Sequence, residues 1–318
     1  MTEPTPDAAP DEAPDETPDV ALTDAAAAIG DSPKSTRLLA LVDGSHYSAS
    51  VCDHAAWIAR RADASVHLVH LFSRRSLAGG EQNLSGSIGL GARTALLNEL
   101  ADLDARKAKL AQRRGRAILA DAGERIEAAG AGHVTRSLRH GELVETLAEL
   151  EREAGLLVIG KRGENAGPEA QHLGSNLERA IRATTKPVLV ASRAFREPER
   201  FLIAFDGGRS ALEAVDFIAA RPRYADLDCH LLSTGQVDRT RRRQLEGAAE
   251  TLRAGGFTVT ADHVDGPPET TISAEVEKRG ADLVIMGAYG HSRLRNMIIG
   301  STTTAVLTAC RLPILLFR

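Results

Sequence analysis

The residues with the clearest chemical potential form a glycine loop near the end of the 318-residue chain, in the pattern G-x2-G-x9-G-S. Its chemically relevant members are Gly287, Gly290, Gly300, Ser301, Thr302 and Thr303. Glycine lets the backbone approach a ligand closely, and a helix that begins after Gly300 would offer free N–H groups and a favourable dipole to phosphate. The same residue types also form plain turns and helix caps. The complete pattern between two strands favours the binding of a nucleotide phosphate.

A second glycine loop occurs earlier in the chain and has one more residue in its spacer. Its corresponding members are Gly160, Gly163, Gly174 and Ser175. Glu164 and Glu169 would place negative charge beside a phosphate, which is unfavourable, and Lys161 and Arg162 would offset that charge. The sequence therefore predicts lower nucleotide occupancy for this first loop.

Aliphatic, strand-like runs that end in aspartate precede both loops. Residues 38–43 end at Asp43, and residues 201–206 end at Asp206. The interval from this aspartate to the first glycine of the loop is 117 residues in the first half and 81 in the second, so the first half carries 36 additional residues. In an open parallel sheet, ligands bind beyond the carboxyl ends of the strands, where both aspartates and both loops fall.

The two halves of the chain repeat the same order of elements. A helical stretch follows each aspartate, a second strand comes next, and a proline-led strand closes each half. The predicted helices are 48–61 and 210–220, the second strands 65–71 and 227–233, and the closing strands 187–191 and 313–317. Strands and helices that alternate in this way imply right-handed βαβ crossovers and a parallel sheet covered on both faces. We predict an α/β fold of two tandem parallel-sheet domains.

The strand-end aspartates, the glycine loops and the closing strands together resemble the universal stress protein family, from Lys34 to Arg318. The resemblance implies two tandem five-stranded, Rossmann-like domains of the adenine-nucleotide alpha-hydrolase type. It also implies that ATP, alone or with Mg²⁺, is the ligand, and that the two closing strands pair as in an internal pseudo-dimer. One branch of the family keeps the fold without nucleotide, so an interaction or scaffold protein is the alternative.

The resemblance also implies which residues form each site. In the second half they are Asp206, Gly287, Gly290, Gly300, Ser301, Thr302 and Thr303, with the backbone near Thr234 at the adenine. In the first half they are Asp43, Leu71, Gly160, Gly163, Gly174 and Ser175. No general base or acidic metal cluster accompanies the loops in the sequence, so we expect weak ATP hydrolysis at most and a ligand that biases conformation or partner choice.

Three segments are predicted: an acidic tail at 1–33, a first domain at 34–196 and a second domain at 197–318. The tail has nine acidic residues, six prolines and no Lys or Arg, a composition that buries too little apolar surface to become ordered. Its expected role is solubility, and a short helix at 19–29 is the alternative to full disorder. The whole chain carries a net charge of -4, but residues 34–318 carry +5, which suits an anionic ligand.

An insertion at about 73–110 accounts for the extra length of the first domain. A helical stretch at 94–129 overlaps it and is predicted to be interrupted at Gly115 and Gly123. One face of this stretch is apolar and carries Leu96, Leu97, Leu100 and Leu103. Its basic residues fit a solvated face, and the alternatives are a partner surface, a lipid surface or a lid over the first loop.

Composition excludes several functional classes. Aromatic residues make up 3%, which argues against stacking platforms for single-stranded nucleic acid. No apolar run approaches the roughly 20 residues that cross a bilayer. The three distant cysteines and the acidic N-terminal segment match neither a disulfide framework nor a secretion signal. We expect a cytoplasmic protein whose partners are an adenine nucleotide and a regulatory protein. Each chain is expected to form an internal pseudo-dimer and to exist either as a monomer or as a homodimer.

Overall fold

Ten strands form one continuous sheet in the computed structural model. The structure describes residues 37–72, 90–163, 173–236, 238–288 and 299–318, and only the backbone of 90–97. The strands are β1 (Arg37–Leu41), β2 (Ser65–Phe72), β3 (Val134–His140), β4 (Ala154–Gly160), β5 (Val188–Ala191), β6 (Arg200–Ala204), β7 (Asp228–Thr234), β8 (Val259–Val264), β9 (Leu283–Gly287) and β10 (Ile314–Phe317). Their order across the sheet is β3-β2-β1-β4-β5-β10-β9-β6-β7-β8. Each half contributes five parallel strands in the same order, so the predicted α/β class is confirmed.

Helices connect the parallel strands and cover both faces of the sheet. They are α1 (Ser48–Ala62), α2 (Leu90–Ala128), α3 (Leu143–Leu150), α4 (Ser175–Ala183), α5 (Arg209–Ala219), α6 (Arg239–Ala254), α7 (Pro268–Arg279) and α8 (Ser301–Ala309), with a 3₁₀ turn at Pro222–Tyr224. Side chains of β1 alternate between two apolar layers, because Leu38 and Ala40 join one layer and Leu39 the other. Burial on both faces explains the unbroken aliphatic runs of the inner strands.

The two halves join through their closing strands, β5 and β10. These strands run antiparallel, with Ile314 opposite Val190 and Leu316 opposite Val188. Every residue of both strands is buried. The predicted pairing of the closing strands is confirmed, and it relates the halves as a pseudo-dimer within one chain.

The outer strands β3 and β8 are not singled out by the sequence pattern. Most of their residues are half-buried or exposed, since each strand has a neighbour on only one side. They therefore lack the continuous aliphatic sequence that burial on both faces imposes on inner parallel strands.

The long helix α2 shows that the predicted interruptions at Gly115 and Gly123 are wrong. The helix continues without a break from Leu90 to Ala128. A β-carbon on Gly115 would lie 2.5 Å from Cδ1 of Leu138, and one on Gly123 would overlap the guanidinium group of Arg136. Both glycines are therefore points of close packing between α2 and β3 rather than helix ends.

Several predicted features lie outside the described residues. They are the acidic tail, the alternative helix at 19–29, the first part of the insertion, and the side chains of Leu96 and Leu97. In the part of the chain that the structure describes, no helix combines the length and apolar character needed to span a membrane.

Candidate functional site

An aspartate after β6 organises the first turn of the second-half site. Oδ1 of Asp206 accepts a hydrogen bond from the N–H of Gly208 at 2.8 Å. Gly207 lies between them with φ of +73°, and a β-carbon there would lie 2.6 Å from Oε1 of Gln244. Both the backbone conformation and the close contact favour glycine at this position. The turn holds Asp206 at the carboxyl end of β6 and leads into α5.

Gly287, the last residue of β9, lies against the start of α5. A β-carbon on Gly287 would lie 3.0 Å from Cβ of Ser210 and 3.7 Å from the backbone nitrogen of Ala211. The first hydrogen bond of α5 runs from Leu212 to Gly208, so the N–H groups before Leu212 precede the helical ladder. Glycine thus brings the strand end close to the positive end of a helix.

The start of α8 is fixed to the same strand end. Gly300 donates its N–H to the carbonyl of Ala288 at 3.2 Å. The hydroxyl of Thr303 lies 3.2 Å from each of the carbonyl oxygens of Gly287 and Ala288. The side chain of Thr303 is buried, so its hydroxyl group anchors the start of α8 to the end of β9 and does not face a ligand.

Accessible groups remain at the N-terminus of α8. Ser301 is exposed and Thr302 is half-buried. The first hydrogen bond of the helix is accepted by Gly300, so the N–H groups of its first three residues precede the ladder. Thr234 is half-buried at the end of β7, and Gly290 lies outside the described residues.

The first-half site has a similar aspartate turn with an additional hydroxyl. Oδ1 of Asp43 accepts hydrogen bonds from the N–H of Ser45 at 2.9 Å and from the hydroxyl of Ser48 at 3.2 Å. The oxygen of Ser48 also accepts the N–H of Gly44 at 2.9 Å. Gly44 has φ of +77°, which matches Gly207 of the second half. Ser48 is not among the predicted site residues, although a hydroxyl at a helix start typically binds such a turn.

The first glycine loop packs tightly against its own half. A β-carbon on Gly160 would lie 2.7 Å from Cβ of Tyr47, and the equivalent position in the second half holds the smaller Ser210. A β-carbon on Gly163 would lie 2.9 Å from Oδ2 of Asp43. The loop therefore lies directly against the carboxylate that the resemblance assigns to the nucleoside end.

The remaining predicted residues of the first site lie along the same sheet edge. Gly174 precedes α4 and packs against the backbone of the loop. Ser175 is exposed at the first position of α4, and Leu71 is half-buried near the end of β2. Two predicted acidic neighbours lie outside the described residues, Glu164 and Glu169.

Lys161, which is predicted to offset acidic charge at the first loop, extends into the other half of the molecule. Its Nζ donates to the carbonyl oxygen of Cys310 at 2.7 Å and lies 3.4 Å from that of Thr308. Burial lowers the pKa of Lys161. The lysine binds the negative end of α8 in the other half, where carbonyl oxygens favour a cation. No local sequence signal predicts this contact, because Lys161 and Cys310 are 149 residues apart.

Arg318 makes the reciprocal contact, from the second half to the first. Its Nη1 donates to the carbonyl oxygens of Arg182 at 3.0 Å and Thr184 at 3.1 Å, at the end of α4. Each half thus supplies a cation to the C-terminus of the last helix of the other half. Sequence reasoning missed both contacts.

Comparison with known proteins identifies the class. The chain matches the universal stress protein family over residues 34–192 and 230–318. It is 35% identical over 284 residues to Universal stress protein Slr1230 from Synechocystis sp., covering 88% of this chain and 99% of that relative. It is 28% identical over 222 residues to Universal stress protein Rv1996 from Mycobacterium tuberculosis, covering 61% and 69%. The chain belongs to the universal stress protein family.

Solved structures support the tandem arrangement of the fold. A universal stress protein from Archaeoglobus fulgidus superposes with a TM-score of 0.66 at 19% identity, over 90% of this chain and 97% of that chain. Protein PA1789 from Pseudomonas aeruginosa superposes with a TM-score of 0.58 at 17% identity, over 89% and 92%. The two matched family segments fall in the two halves of the sheet, so the protein is a tandem member of the family.

Proposed function

We propose that the second half binds an adenine nucleotide, chiefly ATP, as a regulatory ligand in a cytoplasmic stress response. The observation that carries this proposal is the placement of Asp206, Gly287 and the start of α8 at one edge of the parallel sheet. The N-termini of α5 and α8 both adjoin Gly287, and free N–H groups at positive helix ends suit phosphate. A ligand that binds one conformation more tightly shifts the population toward it.

Different residues would bind the two ends of the nucleotide. Asp206 and the backbone at Thr234 would lie at the nucleoside, and Ser301 and Thr302 at the phosphates. One oxygen of Asp206 already accepts the N–H of Gly208. We therefore expect Mg²⁺ to enter only with ATP, and hydrolysis to be slow, because backbone donors and hydroxyls supply no general base.

The contacts of the first half support a second function, which is interaction with another protein in the absence of nucleotide. Gly163 lies against Asp43, Tyr47 lies beside Gly160, and Lys161 extends to the other half. These contacts support a loop that joins the two halves instead of holding a phosphate. For the chain as a whole, a scaffold protein of the same fold is the alternative.

The proposal is tested by denaturing the purified full chain and identifying the released small molecules by mass spectrometry. Released ATP supports the proposal, no nucleotide favours the scaffold alternative, and a flavin indicates a different carrier function. Ligand-free protein is then titrated with ATP. The Asp206→Ala variant should bind about 10- to 100-fold more weakly, because hydrogen bonds to charged groups contribute about 1.5–3 kcal/mol. Asp43→Ala is the matched control and should leave the affinity within about threefold.

A further inference from the structure

The middle of α2 lies at the surface of the protein. In this segment, residues 98–114, called here the α2 arm, every side chain is exposed except those of Ala108 and Ala111, which are half-buried. The later part of α2 is firmly packed, since Ile126 is buried in the core and Arg125 forms two hydrogen bonds of 2.7 Å with Asp53 of α1. The α2 arm is therefore a solvent-exposed helical segment, about 25 Å long at 1.5 Å per residue, that leads into a firmly packed part of the same helix.

The α2 arm presents leucines to solvent along one face. Leu100, Leu103 and Leu110 are 38%, 44% and 63% exposed. Their spacing of three and seven residues places them on one stripe of the helix, in the a/d pattern of a coiled coil, with Lys107 at the heptad position between Leu103 and Leu110. A leucine stripe on an otherwise solvated helix marks an interaction surface.

Charge is divided between the two ends of the arm. The acidic side chains precede the basic ones, and in chain order they are Glu99, Asp102 and Asp104, then Arg106, Lys107, Lys109, Arg113 and Arg114. The first seven of these take part in no ion pair within the described parts of the chain. The arm is thus complementary in charge to a reversed copy of itself.

We infer that the α2 arm pairs antiparallel with the α2 arm of a second copy of this chain. A two-fold axis across the arm places the acidic end of one copy opposite the basic end of the other, and it brings the two leucine stripes together. A parallel pair would place like charges side by side, so charge selects the antiparallel orientation. This contact differs from the β5–β10 seam, which joins the halves within one chain.

The size of the arm sets the strength of the association. A single helix pair of this length buries less than the roughly 1,200 Å² of standard complexes, so we expect a weak, micromolar dimer. Charged residues beside the stripe contribute orientation, and they make the association sensitive to salt.

Sedimentation velocity on the full chain tests the inference, at about 1–200 µM protein, the range expected for an interface of this size. Wild type should shift from monomer to dimer across this range. The Leu103→Asp/Leu110→Asp variant should stay monomeric, because it places charge in the stripe. Leu212→Lys is the matched control, since Leu212 of α5 is 41% exposed at a different surface, and it should dimerise like wild type.

Charge exchange tests whether complementary charge holds the two arms together. One variant carries Lys at 99, 102 and 104, and another carries Glu at 106, 107 and 109. Each alone should be monomeric, and an equimolar mixture should dimerise.

Three results would overturn the inference: a wild-type monomer at every concentration, a dimer that survives the leucine substitutions, or a mixture of the charge variants that stays monomeric.

Two other candidates for covering the arm are the acidic tail and a membrane, and both are tested with the full chain. If the acidic tail covers it, replacing the nine tail acids by Asn and Gln in the full chain will create or strengthen the dimer. If a membrane covers it, wild type will bind anionic lipid vesicles and the leucine variant will not. The inference expects neither result.

Discussion

The two halves of the sheet share one architecture but anchor their glycine loops differently. In the second half, Thr303 ties α8 to the carbonyl groups at the end of β9, whereas the equivalent residue of the first half is the buried Leu177. In the first half, the residue after the strand-end glycine is Lys161, which extends into the second half. In the second half, the residue after the strand-end glycine is Ala288. Glycine spacing alone therefore does not define a nucleotide site, because the residues between and after the glycines decide what the loop contacts.

The residues that pack against the two strand-end glycines also differ between the halves. Gly160 faces Tyr47, and Gly287 faces Ser210, at equivalent positions near the starts of α1 and α5. An aromatic side chain leaves less room beside the first strand end than a hydroxymethyl group leaves beside the second. This difference supports the proposed preference of the nucleotide for the second half.

The largest expected difference between the halves concerns the equivalent histidines of β2 and β7. Burial lowers the pKa of both, and that of His230 falls to about 4, with Arg279 adding to the effect. Nε2 of His67 lies 2.8 Å from Oγ of Ser137. Neither ring nitrogen of His230 has a hydrogen-bond partner among the described residues.

Acid should therefore destabilise the second half through His230. The unfolded chain protonates this histidine near its ordinary pKa of 6.5, and the folded chain only near 4, so stability is lost as the pH falls through this window. The loss at pH 4 is on the order of 3 kcal/mol, at 1.36 kcal/mol per pH unit. Urea unfolding at pH 7 and pH 4 should show that His230→Leu removes most of this loss and His67→Leu removes less. Equal acid sensitivity of wild type and His230→Leu would contradict the assignment.

Removal of the hydroxyl at the α8 anchor should have the next largest effect. Thr303→Val keeps the shape of the side chain but removes the hydroxyl donor that lies between the carbonyl oxygens of Gly287 and Ala288, while the Ala288 carbonyl keeps the N–H of Gly300. We expect a loss of about 1.5 kcal/mol in the free energy of unfolding, at the upper end of the net contribution of one hydrogen bond. Thr303→Ser keeps the hydroxyl and should retain more of this stability in urea titrations. A Thr303→Val variant as stable as wild type would remove the proposed distinction between Thr303 and Leu177.

The contact across the seam should have the smallest effect. Lys161→Met keeps the apolar stem but removes the cation from the end of α8. Cations at helix C-termini contribute about 0.3–1 kcal/mol, and up to about 2 kcal/mol when partly buried, so we expect a loss of about 1 kcal/mol. Thermal unfolding measures this change, with Lys186→Met as a control outside the contact. If the two variants unfold at the same temperature, Lys161 does not stabilise α8.

Sequence patterns predict the inner strands and the seam because these elements carry strong local signals. The proline-led runs at 187–191 and 313–317 are aliphatic throughout, as burial on both faces requires. Gly115 shows the limit of local reasoning, since a glycine within a helical pattern marks either an end or a close contact until its neighbour is known. That neighbour, Leu138, belongs to a strand with no strong pattern of its own.

The candidate site is predictable to a similar extent. Asp206 and Gly287 lie at the predicted sheet edge, because their positions follow from the ends of two inner strands. The roles of Thr303 and Lys161 do not follow from the sequence, since each depends on which carbonyl oxygens the folded chain brings within reach. Hydroxyl and ammonium groups bind ligands and backbone carbonyls equally well, so residue type alone does not separate the two roles.

The central claim is that the second half, rather than the first, binds ATP. A matched pair of substitutions tests it most directly, because Ser301 and Ser175 are both exposed at the first positions of α8 and α4. Glutamate suits the positive end of a helix, so both variants should fold, but its charge opposes a phosphate bound there. In calorimetric titrations of the full chain, Ser301→Glu should weaken ATP binding at least about tenfold, and Ser175→Glu by less than about twofold. Unchanged affinity in Ser301→Glu, or a loss confined to Ser175→Glu, would contradict the claim.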